Sequence, residues 1–181
     1  ISCAKFTDRI SVSNKGDLIM EIELVKVEKS QSNHVLKLYQ FIFSLYLKKY
    51  HDDEINPANT PITKIERWFD KEFMSLFFIK FDEKIVGIVR LAHVTWDFEG
   101  QDKIHIGDFG ILPDYQNLGL GQMTIKKLEQ MYHPKDGWEL STILQEAGNI
   151  HFYEKLGYQA TGSLTHINEK MDIIGFEKKE K

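Results

Sequence analysis

The stretch Pro113–Gln122, with the sequence PDYQNLGLGQ, follows an apolar run and precedes a helical pattern. Its two glycines, Gly119 and Gly121, stand one residue apart between a predicted strand and a predicted helix. Two common phosphate-binding patterns do not fit, because Thr124 stands where a dinucleotide-binding fingerprint or a P-loop requires a glycine. What remains is a bend with unpaired backbone N–H groups at a helix start, where the helix dipole favours negative charge. The stretch therefore predicts an anion-binding loop.

The composition is that of one globular domain without the marks of a nucleic-acid-binding or membrane protein. The chain has 181 residues and a net charge of −4, which suits a single domain with a sizeable core and provides no basic footprint for nucleic acid. The most apolar segment, Leu38–Leu47, is about half as long as the ~20 residues that a membrane span needs. The single cysteine, Cys3, excludes internal disulfides and favours a cytoplasmic setting.

The first nineteen residues differ from the rest of the chain. Residues 1–19 begin without Met and show no sustained hydrophobic period, whereas Met20 begins an alternating pattern, MEIELVKV. The segment Lys15–Asp17 is one that a purine-rich ribosome-binding sequence could encode just before a Met20 start codon. We therefore expect a domain at residues 20–181 and a non-native leader at residues 1–19. The alternative is an authentic extra strand at the N-terminus.

From Met20 onward, hydrophobic periodicity predicts the element order β-α-α-β-β-β-α-β-α-β-β. The first helix is expected to end near Tyr50, and Pro113 ends the fourth strand. Gly157 caps the C-terminus of the last helix. A hairpin that turns at Asn168–Glu169 completes the chain, and its outer edge is a candidate surface for a homodimer.

Two blocks of the sequence resemble the GNAT family of N-acetyltransferases, which bind acetyl-coenzyme A. Gln116–Gly121, QNLGLG, is similar to the family's pyrophosphate loop, Gln/Arg-x-x-Gly-x-Gly. Phe152–Tyr158, FYEKLGY, is similar to the signature that follows the fifth strand. The predicted element order also resembles that of the family. The resemblance implies an α/β (α+β) GNAT fold, with a mixed central sheet of about seven strands, about four helices, and a splay between the fourth and fifth strands.

The resemblance implies a binding site for acetyl-coenzyme A on the fourth strand and the following loop. N–H groups of Leu118–Gln122 would converge on the pyrophosphate, and Gln116 would hydrogen-bond it without adding charge. The pantetheine arm would pair with the main chain of Phe109 and Ile111, and an N–H there would stabilise an oxyanion. Gly110 is compatible with a bulge or with close packing. The expected cofactor-binding residues are Phe109, Gly110, Ile111, Gln116, Asn117, Leu118, Gly119, Leu120, Gly121 and Gln122.

The resemblance also implies which side chains move protons during direct transfer from the thioester to an amine. An amine with a pKa near ~10 must lose a proton before it attacks, and the thiolate leaving group needs an acid. Tyr153 matches the family tyrosine that serves as this acid. The base is Asp108 or His105, because each stands at a position where a branch of the family has an acidic residue. Asp108 is preferred. Strand alternation places His105 on the face of Phe109 and Ile111, and Asp108 on the opposite face, unless a bulge intervenes.

The motifs leave the acceptor open among primary amines of small molecules and peptides. The seven histidines show no metal-binding spacing, so no metal is expected. The acidic segment Asp52–Glu54 would favour a cationic acceptor if it faces the pocket. Candidates for the pocket wall come from the first helix and from the third strand with its following loop: Tyr39, Phe43, Tyr46, Tyr50, His93, Trp96, Asp97 and Glu99.

Two further points qualify the resemblance. Glu146 stands where family members often have Asn at the start of the last helix, so Asn149 in that helix is not counted among the cofactor contacts. The alternative function is a non-catalytic acyl-coenzyme A-binding regulatory module on the same fold. The presence of Tyr153 and Asp108 favours the enzyme over that module.

Overall fold

The described part of the chain forms one seven-stranded sheet with four α-helices. The computed structural model describes residues 21–94 and 102–179; the leader at residues 1–19, the start at Met20, and the pocket candidates Trp96, Asp97 and Glu99 lie outside the described residues. The strands are β1 Ile22–Lys26, β2 Met74–Phe81, β3 Lys84–Val94, β4 Lys103–Ile111, β5 Gly137–Ile143, β6 Gln159–Asn168 and β7 Met171–Lys178. The helices are α1 Ser32–Tyr50, α2 Ile62–Trp68, α3 Leu120–Met131 and α4 Ala147–Lys155. The predicted element order is confirmed.

The strands lie in the order β1-β2-β3-β4-β5-β7-β6. All neighbouring pairs of the described strands are antiparallel except β4 and β5, which are parallel because α3 crosses between them. The β4–β5 pairing extends only from Lys103 opposite Gly137 to Ile106 opposite Leu140. Beyond Ile106 the two strands separate. The predicted splay between the fourth and fifth strands is therefore confirmed.

Helices cover both faces of the sheet, so that alternate side chains of the central strands are buried on opposite sides. On β2, Phe78 packs with α1 and α2, whereas its neighbour Phe77 packs with α3. Phe78 is 1% exposed and Ile88 beside it on β3 is fully buried. Burial of each such side chain contributes about 1.5–3 kcal/mol. The two layers together fix the position of β4 between α1 and α3.

A bulge interrupts β4. The β3–β4 register shifts by one residue, so that Arg90 of β3 faces two residues of β4, Gly107 and Asp108. A Cβ atom at Gly107 would lie 2.7 Å from Arg90 Nη2, so a larger residue there would displace the guanidinium group. Gly110, where the sequence allowed a bulge or close packing, is closely packed, because a Cβ atom there would overlap Ile42 of α1.

The bulge changes the alternation of side chains along β4. Ile106 packs toward α3, so that His105 faces α1. After the bulge, Asp108 faces α1, while Phe109 and Ile111 pack toward α3. Strict alternation, which would place His105 on the face of Phe109 and Ile111, is therefore broken. Both candidates for the base lie on the same face of the sheet.

The C-terminal hairpin forms the outer edge of the sheet. β6 is the last strand in the sheet order, and its side chains from Gln159 to His166 are exposed. The strand extends to Asn168, so the turn comes one residue later than predicted. Gly157 follows α4 with a φ of 89° and ends the helix as expected.

Candidate active site

A cleft of about 860 Å³ opens where β4 and β5 separate. Its walls come from α1, the loop after α1, β4, the loop into α3, β5 and α4. Nine of the ten residues expected to bind the cofactor line it, and the exception is Leu118, whose side chain is 42% exposed. Tyr153 and Asp108 also line the cleft, whereas His105 does not. The fold therefore brings the expected cofactor residues and two of the three catalytic candidates to one cavity.

The loop into α3 presents a run of unpaired backbone N–H groups. Asn117 and Gly119 have φ angles of 61° and 79°, a left-handed conformation that glycine adopts without strain. Met123 N donates to Gly119 O at 3.1 Å, and within residues 21–94 and 102–179 the N–H groups of residues 117–122 have no hydrogen-bond partner. Such N–H groups at a helix N-terminus favour an anion. The bend with unpaired N–H groups at a helix start is present as the sequence predicts, and binding of an anion there stays a prediction.

Gln116 holds this loop against the end of β4. Its Nε2 donates a hydrogen bond to the carbonyl oxygen of Ile111 at 2.9 Å. Because a side-chain amide has two N–H donors, one remains for a ligand. The side chain expected to contact pyrophosphate thus also positions the loop.

The two sequence blocks meet at Phe152. A Cβ atom at Gly121 would lie 3.3 Å from Phe152 Cε2, so the glycine allows the start of α3 to approach α4. The Phe152 ring also lies 6.3 Å from that of Phe109 on β4. These contacts form the floor between the anion-binding loop and the separated strands.

The edge of β4 that faces β5 is available beyond Ile106. Pairing with β5 stops there, while the opposite edge of β4 stays paired with β3 through Ile111. Among the described residues, therefore, the main chain of Phe109 and Ile111 lies along the cleft without a strand partner on that side. An extended ligand with amide groups can pair with such an edge as an added strand.

Tyr153 of α4 lies in a cluster of aromatic rings and lines the cleft. The rings of Phe152 and Tyr158 are 5.0 and 5.9 Å from it. Burial raises the pKa of Tyr153 well above the usual value of tyrosine, and the nearby Tyr46 raises it further. In the described parts of the chain no hydrogen bond occupies its hydroxyl group. At neutral pH the hydroxyl is therefore protonated and able to donate.

Asp108 is held by two donors from different elements. The Tyr39 hydroxyl and Arg90 Nε donate to the same oxygen, Oδ2, at 3.1 and 2.8 Å. The guanidinium group of Arg90 lies 4.9 Å above the ring of Trp68. Burial raises the pKa of Tyr39 well above its usual value, and the charge of Asp108 raises it further, so Tyr39 stays a donor. Oδ1 is the carboxylate oxygen that these two donors leave unoccupied.

His105 lies on the same face as Asp108 but outside the lining of the cleft. Its Nδ1 is 3.3 Å from Glu139 Oε1 on β5. Burial lowers the pKa of His105 below its usual value, although Glu139 opposes this effect. The imidazole is therefore mainly neutral at pH 7 and can accept a proton.

The aromatic candidates for the pocket wall divide between cleft and core. Phe43 and Tyr46 line the cleft. Tyr39 lies beneath Asp108, and the Tyr50 hydroxyl turns toward α4. His93 lies elsewhere, with its ring 5.2 Å from that of Tyr132 at the end of α3.

Two residues near the start of α4 have roles that the sequence did not reveal. Glu146 accepts hydrogen bonds of 2.6 Å from Lys49 Nζ and from the Tyr50 hydroxyl, so that it links the end of α1 to α4. Asn149, which was not counted as a contact, lines the cleft and donates to Thr142 Oγ1 at 3.2 Å. The sequence offered one signal of these contacts, namely Glu146 at a position where family members often have Asn.

Other cleft residues had not been singled out as cofactor or catalytic residues, although Tyr115 lies within the stretch Pro113–Gln122 and Lys155 within the block Phe152–Tyr158. They are Ile42, Asp52, Ile55, Asn56, Pro57, Gly107, Tyr115, Ser141, Thr142, Ile143, Gly148, Lys155, Met171 and Ile173. Of these, only Asp52 had a conditional role, in recognition of a cationic acceptor. Asp52 alone of the acidic segment Asp52–Glu54 faces the cleft, so that condition is met for this one residue.

The described residues contain neither a cluster of metal ligands nor a helix that could cross a membrane. Within residues 21–94 and 102–179, no group of three or more His, Cys, Asp or Glu side chains is arranged to hold a metal ion. The helices of the same ranges include none that combines the length and apolarity needed to cross a membrane.

Comparisons with known proteins identify the class to which this fold and cleft belong. The model of the acetyltransferase (GNAT) family matches residues 36–158. The chain belongs to the GNAT family of acetyltransferases. A comparison with curated protein sequences gives no match.

Solved structures with the same fold include three N-acetyltransferases. The spermidine N-acetyltransferase of Vibrio cholerae, in complex with CoA and spermine, is 15% identical, with a TM-score of 0.67 over 87% of this chain and 94% of that one. The PaiA N-acetyltransferase of Thermoplasma acidophilum, in complex with coenzyme A, is 13% identical, with a TM-score of 0.65 over 90% and 100%. An N-acetyltransferase of Staphylococcus aureus Mu50 is 14% identical, with a TM-score of 0.67 over 89% and 99%. At these identities the likeness shows a shared fold.

Proposed function

We propose that this protein transfers an acetyl group from acetyl-coenzyme A directly to a primary amine of a small molecule or peptide, with both substrates bound together. The observation that carries the proposal is the single cleft that joins unpaired N–H groups, an unpaired strand edge and the Tyr153 hydroxyl. The V. cholerae and T. acidophilum enzymes, which have the same fold, were solved with coenzyme A.

The chemical groups of the cleft fit those of acetyl-coenzyme A. The N–H groups of residues 117–122 would hold the pyrophosphate at the start of α3, where the helix dipole adds to the attraction. The unpaired edge at Phe109 and Ile111 would hold the two amides of the pantetheine arm. The acetyl group would enter as a thioester, already activated for transfer to nitrogen.

Three groups of the protein would act on the reacting atoms. Asp108, through Oδ1, would take a proton from the acceptor ammonium group, so that the amine nitrogen can bond to the carbonyl carbon. A backbone N–H of Phe109 or Ile111 would donate to the oxygen that becomes negative. Tyr153 would donate a proton to the sulfur as the C–S bond breaks, and the extra proton on the newly bonded nitrogen would restore the Tyr153 hydroxyl as the amide forms. His105, which lies outside the cleft lining, would exchange protons with the site only through water.

The proposal also covers the cellular location and the oligomeric state of the protein. A cytoplasmic setting is favoured by the single cysteine, Cys3. A homodimer would form through β6, because an exposed edge strand is a template for pairing with a second chain.

The test compares binding of acetyl-coenzyme A to the wild type and to two tryptophan variants. Gly148 lines the cleft, and a Cβ atom there would meet nothing within 4 Å, so Gly148→Trp would fill the cleft without straining the fold. Ala147 is its exposed neighbour outside the lining, which makes Ala147→Trp the matched control. We expect calorimetric titration to show binding by the wild type and Ala147→Trp, and at least tenfold weaker binding by Gly148→Trp.

The second half of the test measures thiol release with a panel of primary amines. Release that depends on both acetyl-coenzyme A and an amine supports the enzyme. Tight binding without thiol release from any amine would indicate the regulatory module instead. Absence of binding by the wild type, or equal binding by all three proteins, would refute the proposed site.

A further inference from the structure

A buried carboxylate, Asp52, lies in the wall of the cleft just after the end of α1. The residue lines the cleft and is only 5% exposed. Its neighbours in sequence, Asp53 and Glu54, are exposed and lie outside the lining. Of the acidic segment after α1, one side chain therefore faces the site.

The charge of Asp52 has no counter-ion among the described residues. Its two carboxylate oxygens accept hydrogen bonds of 2.9 and 3.0 Å from the same donor, Asn56 Nδ2. Asp108, the other acidic residue of the lining, is paired with Arg90 at 2.8 Å. Burial of a carboxylate is costly unless a cation or several donors compensate. A carboxylate has about four acceptor positions, so Asp52 retains capacity for a ligand.

The loop around Asp52 is fixed before any ligand binds. Its main-chain oxygen accepts hydrogen bonds from Ile55 N and Asn56 N. Asn56 Oδ1 accepts from Ala58 N at 2.9 Å, and Asn168 Nδ2 donates to Tyr50 O at 3.0 Å. Because the carboxylate is already ordered, binding a cation would require little rearrangement.

Asp52 is displaced along α1 from the reacting end of the cleft. Asp108, which would take the proton of the reacting amine, accepts a hydrogen bond from Tyr39. Helix α1 ends eleven residues after Tyr39, about 16 Å along the axis at ~1.5 Å per residue. Asp52 follows two residues later, so the two carboxylates lie at well-separated positions along α1. The rings of Phe43 and Tyr46 line the cleft between them.

We propose that Asp52 binds a second ammonium group of the acceptor, so that the preferred substrates are primary amines carrying another cationic group several carbon atoms away. The inference rests on the proposed function and names its substrate class. The amine at the reacting end loses a proton and is acetylated, while the distant ammonium group stays charged on Asp52. The apolar chain between the two nitrogens would lie against the aromatic rings.

The test removes the charge of Asp52 while keeping the size and shape of the side chain. In Asp52→Asn, the side-chain oxygen can still accept from Asn56. Asp53→Asn removes the same charge from the same loop outside the cleft and is the matched control. The probes are α,ω-diamines of three to twelve carbon atoms and n-alkylamines of equal length. We expect the wild type to prefer the best diamine over its matched monoamine by roughly 10- to 100-fold in kcat/KM, the range for a charge-assisted hydrogen bond.

The same panel of diamines and monoamines shows whether Asp52 binds the second ammonium group. Asp52→Asn should abolish the preference by lowering kcat/KM for diamines, with kcat/KM for monoamines and affinity for acetyl-coenzyme A unchanged, and Asp53→Asn should behave as the wild type. An equal loss for diamines and monoamines, an equal effect of Asp53→Asn, or no preference in the wild type would overturn it.

A failure of the proposed function gives a distinguishable result. If the wild type releases no thiol with any amine, the enzymatic proposal is refuted, and direct titration of 1,5-diaminopentane into the wild type and Asp52→Asn decides the inference. Binding that is lost in Asp52→Asn supports a cation site. Equal binding by both proteins, or none by the wild type, refutes it.

Discussion

Gln122→Glu is expected to weaken binding of acetyl-coenzyme A while preserving the fold. Gln122 is the third residue of α3, lines the cleft, and closes the run of unpaired N–H groups. Glutamate has nearly the same shape and adds one negative charge. At a helix N-terminus this charge stabilises the helix by about 0.3–1 kcal/mol. The same charge would repel a pyrophosphate bound there. The substitution should therefore raise the stability of the fold slightly and lower the affinity for acetyl-coenzyme A.

The size of the effect follows from Coulomb's law. Two unit charges ~5 Å apart repel by about 3 kcal/mol at an effective dielectric constant of ~20. Salt screens part of this energy in an open cleft. If roughly half remains, the dissociation constant of acetyl-coenzyme A rises about tenfold.

The assay is calorimetric titration of acetyl-coenzyme A into the wild type, Gln122→Glu and Gln130→Glu. Gln130 lies on the same helix but is exposed and outside the cleft lining. We expect a dissociation constant about tenfold higher for Gln122→Glu, unchanged for Gln130→Glu, with the difference shrinking as salt rises. The Tm of Gln122→Glu should equal or exceed that of the wild type, whereas a charge near the C-terminal end of α3 should lower the Tm of Gln130→Glu slightly. Equal affinities of Gln122→Glu and the wild type at low salt would refute the assignment of the pyrophosphate to this helix start.

Two further predictions concern titratable side chains. Tyr153→Phe should lower kcat by about 10²- to 10⁴-fold and change the affinity for acetyl-coenzyme A less than twofold; an unchanged kcat in the thiol-release assay would exclude the hydroxyl as the acid. His105→Gln should make folding less sensitive to acid, because burial lowers the pKa of His105 in the folded state, so that wild-type stability falls as the pH drops through the unfolded value of about 6.5. Urea unfolding at pH 7.5 and 5.5 measures this effect, and an identical pH response in both proteins would contradict it.

The element order and the anion-binding loop could be predicted because both depend on local chemistry. Gly119 supplies a left-handed residue at the helix start, and Gly157 does so at a helix end. Each of these left-handed positions depends on a few consecutive residues. The strands are identified separately, from the alternation of apolar side chains. Tyr153 was expected only because its block, FYEKLGY, resembles the family signature.

The detailed arrangement of β4 could not be predicted, because it depends on side chains distant in sequence. The bulge exists where Arg90 covers Gly107 and reaches Asp108, and no pattern within β4 alone specifies that contact. One extra residue in a strand transfers every later side chain to the other face, which is why alternation misplaced His105. The orientation of Asp52 likewise depends on Asn56 and on the packing of the whole loop.

The separation of β4 from β5 also has a consequence for the lifetime of the protein. The main chains of strands β1–β4 and strands β5–β7 pair along a short line of four residue pairs, from Lys103 with Gly137 to Ile106 with Leu140, and the rest of the connection is side-chain packing in one shared core. Of the described strand pairs this one has the fewest paired residues, so the sheet has the fewest backbone hydrogen bonds to lose there on partial opening. A ligand bound to both sides of this joint would add its binding free energy to keeping the sheet closed. The supply of acetyl donor would then set how often the chain opens to proteases, and so how long each copy survives.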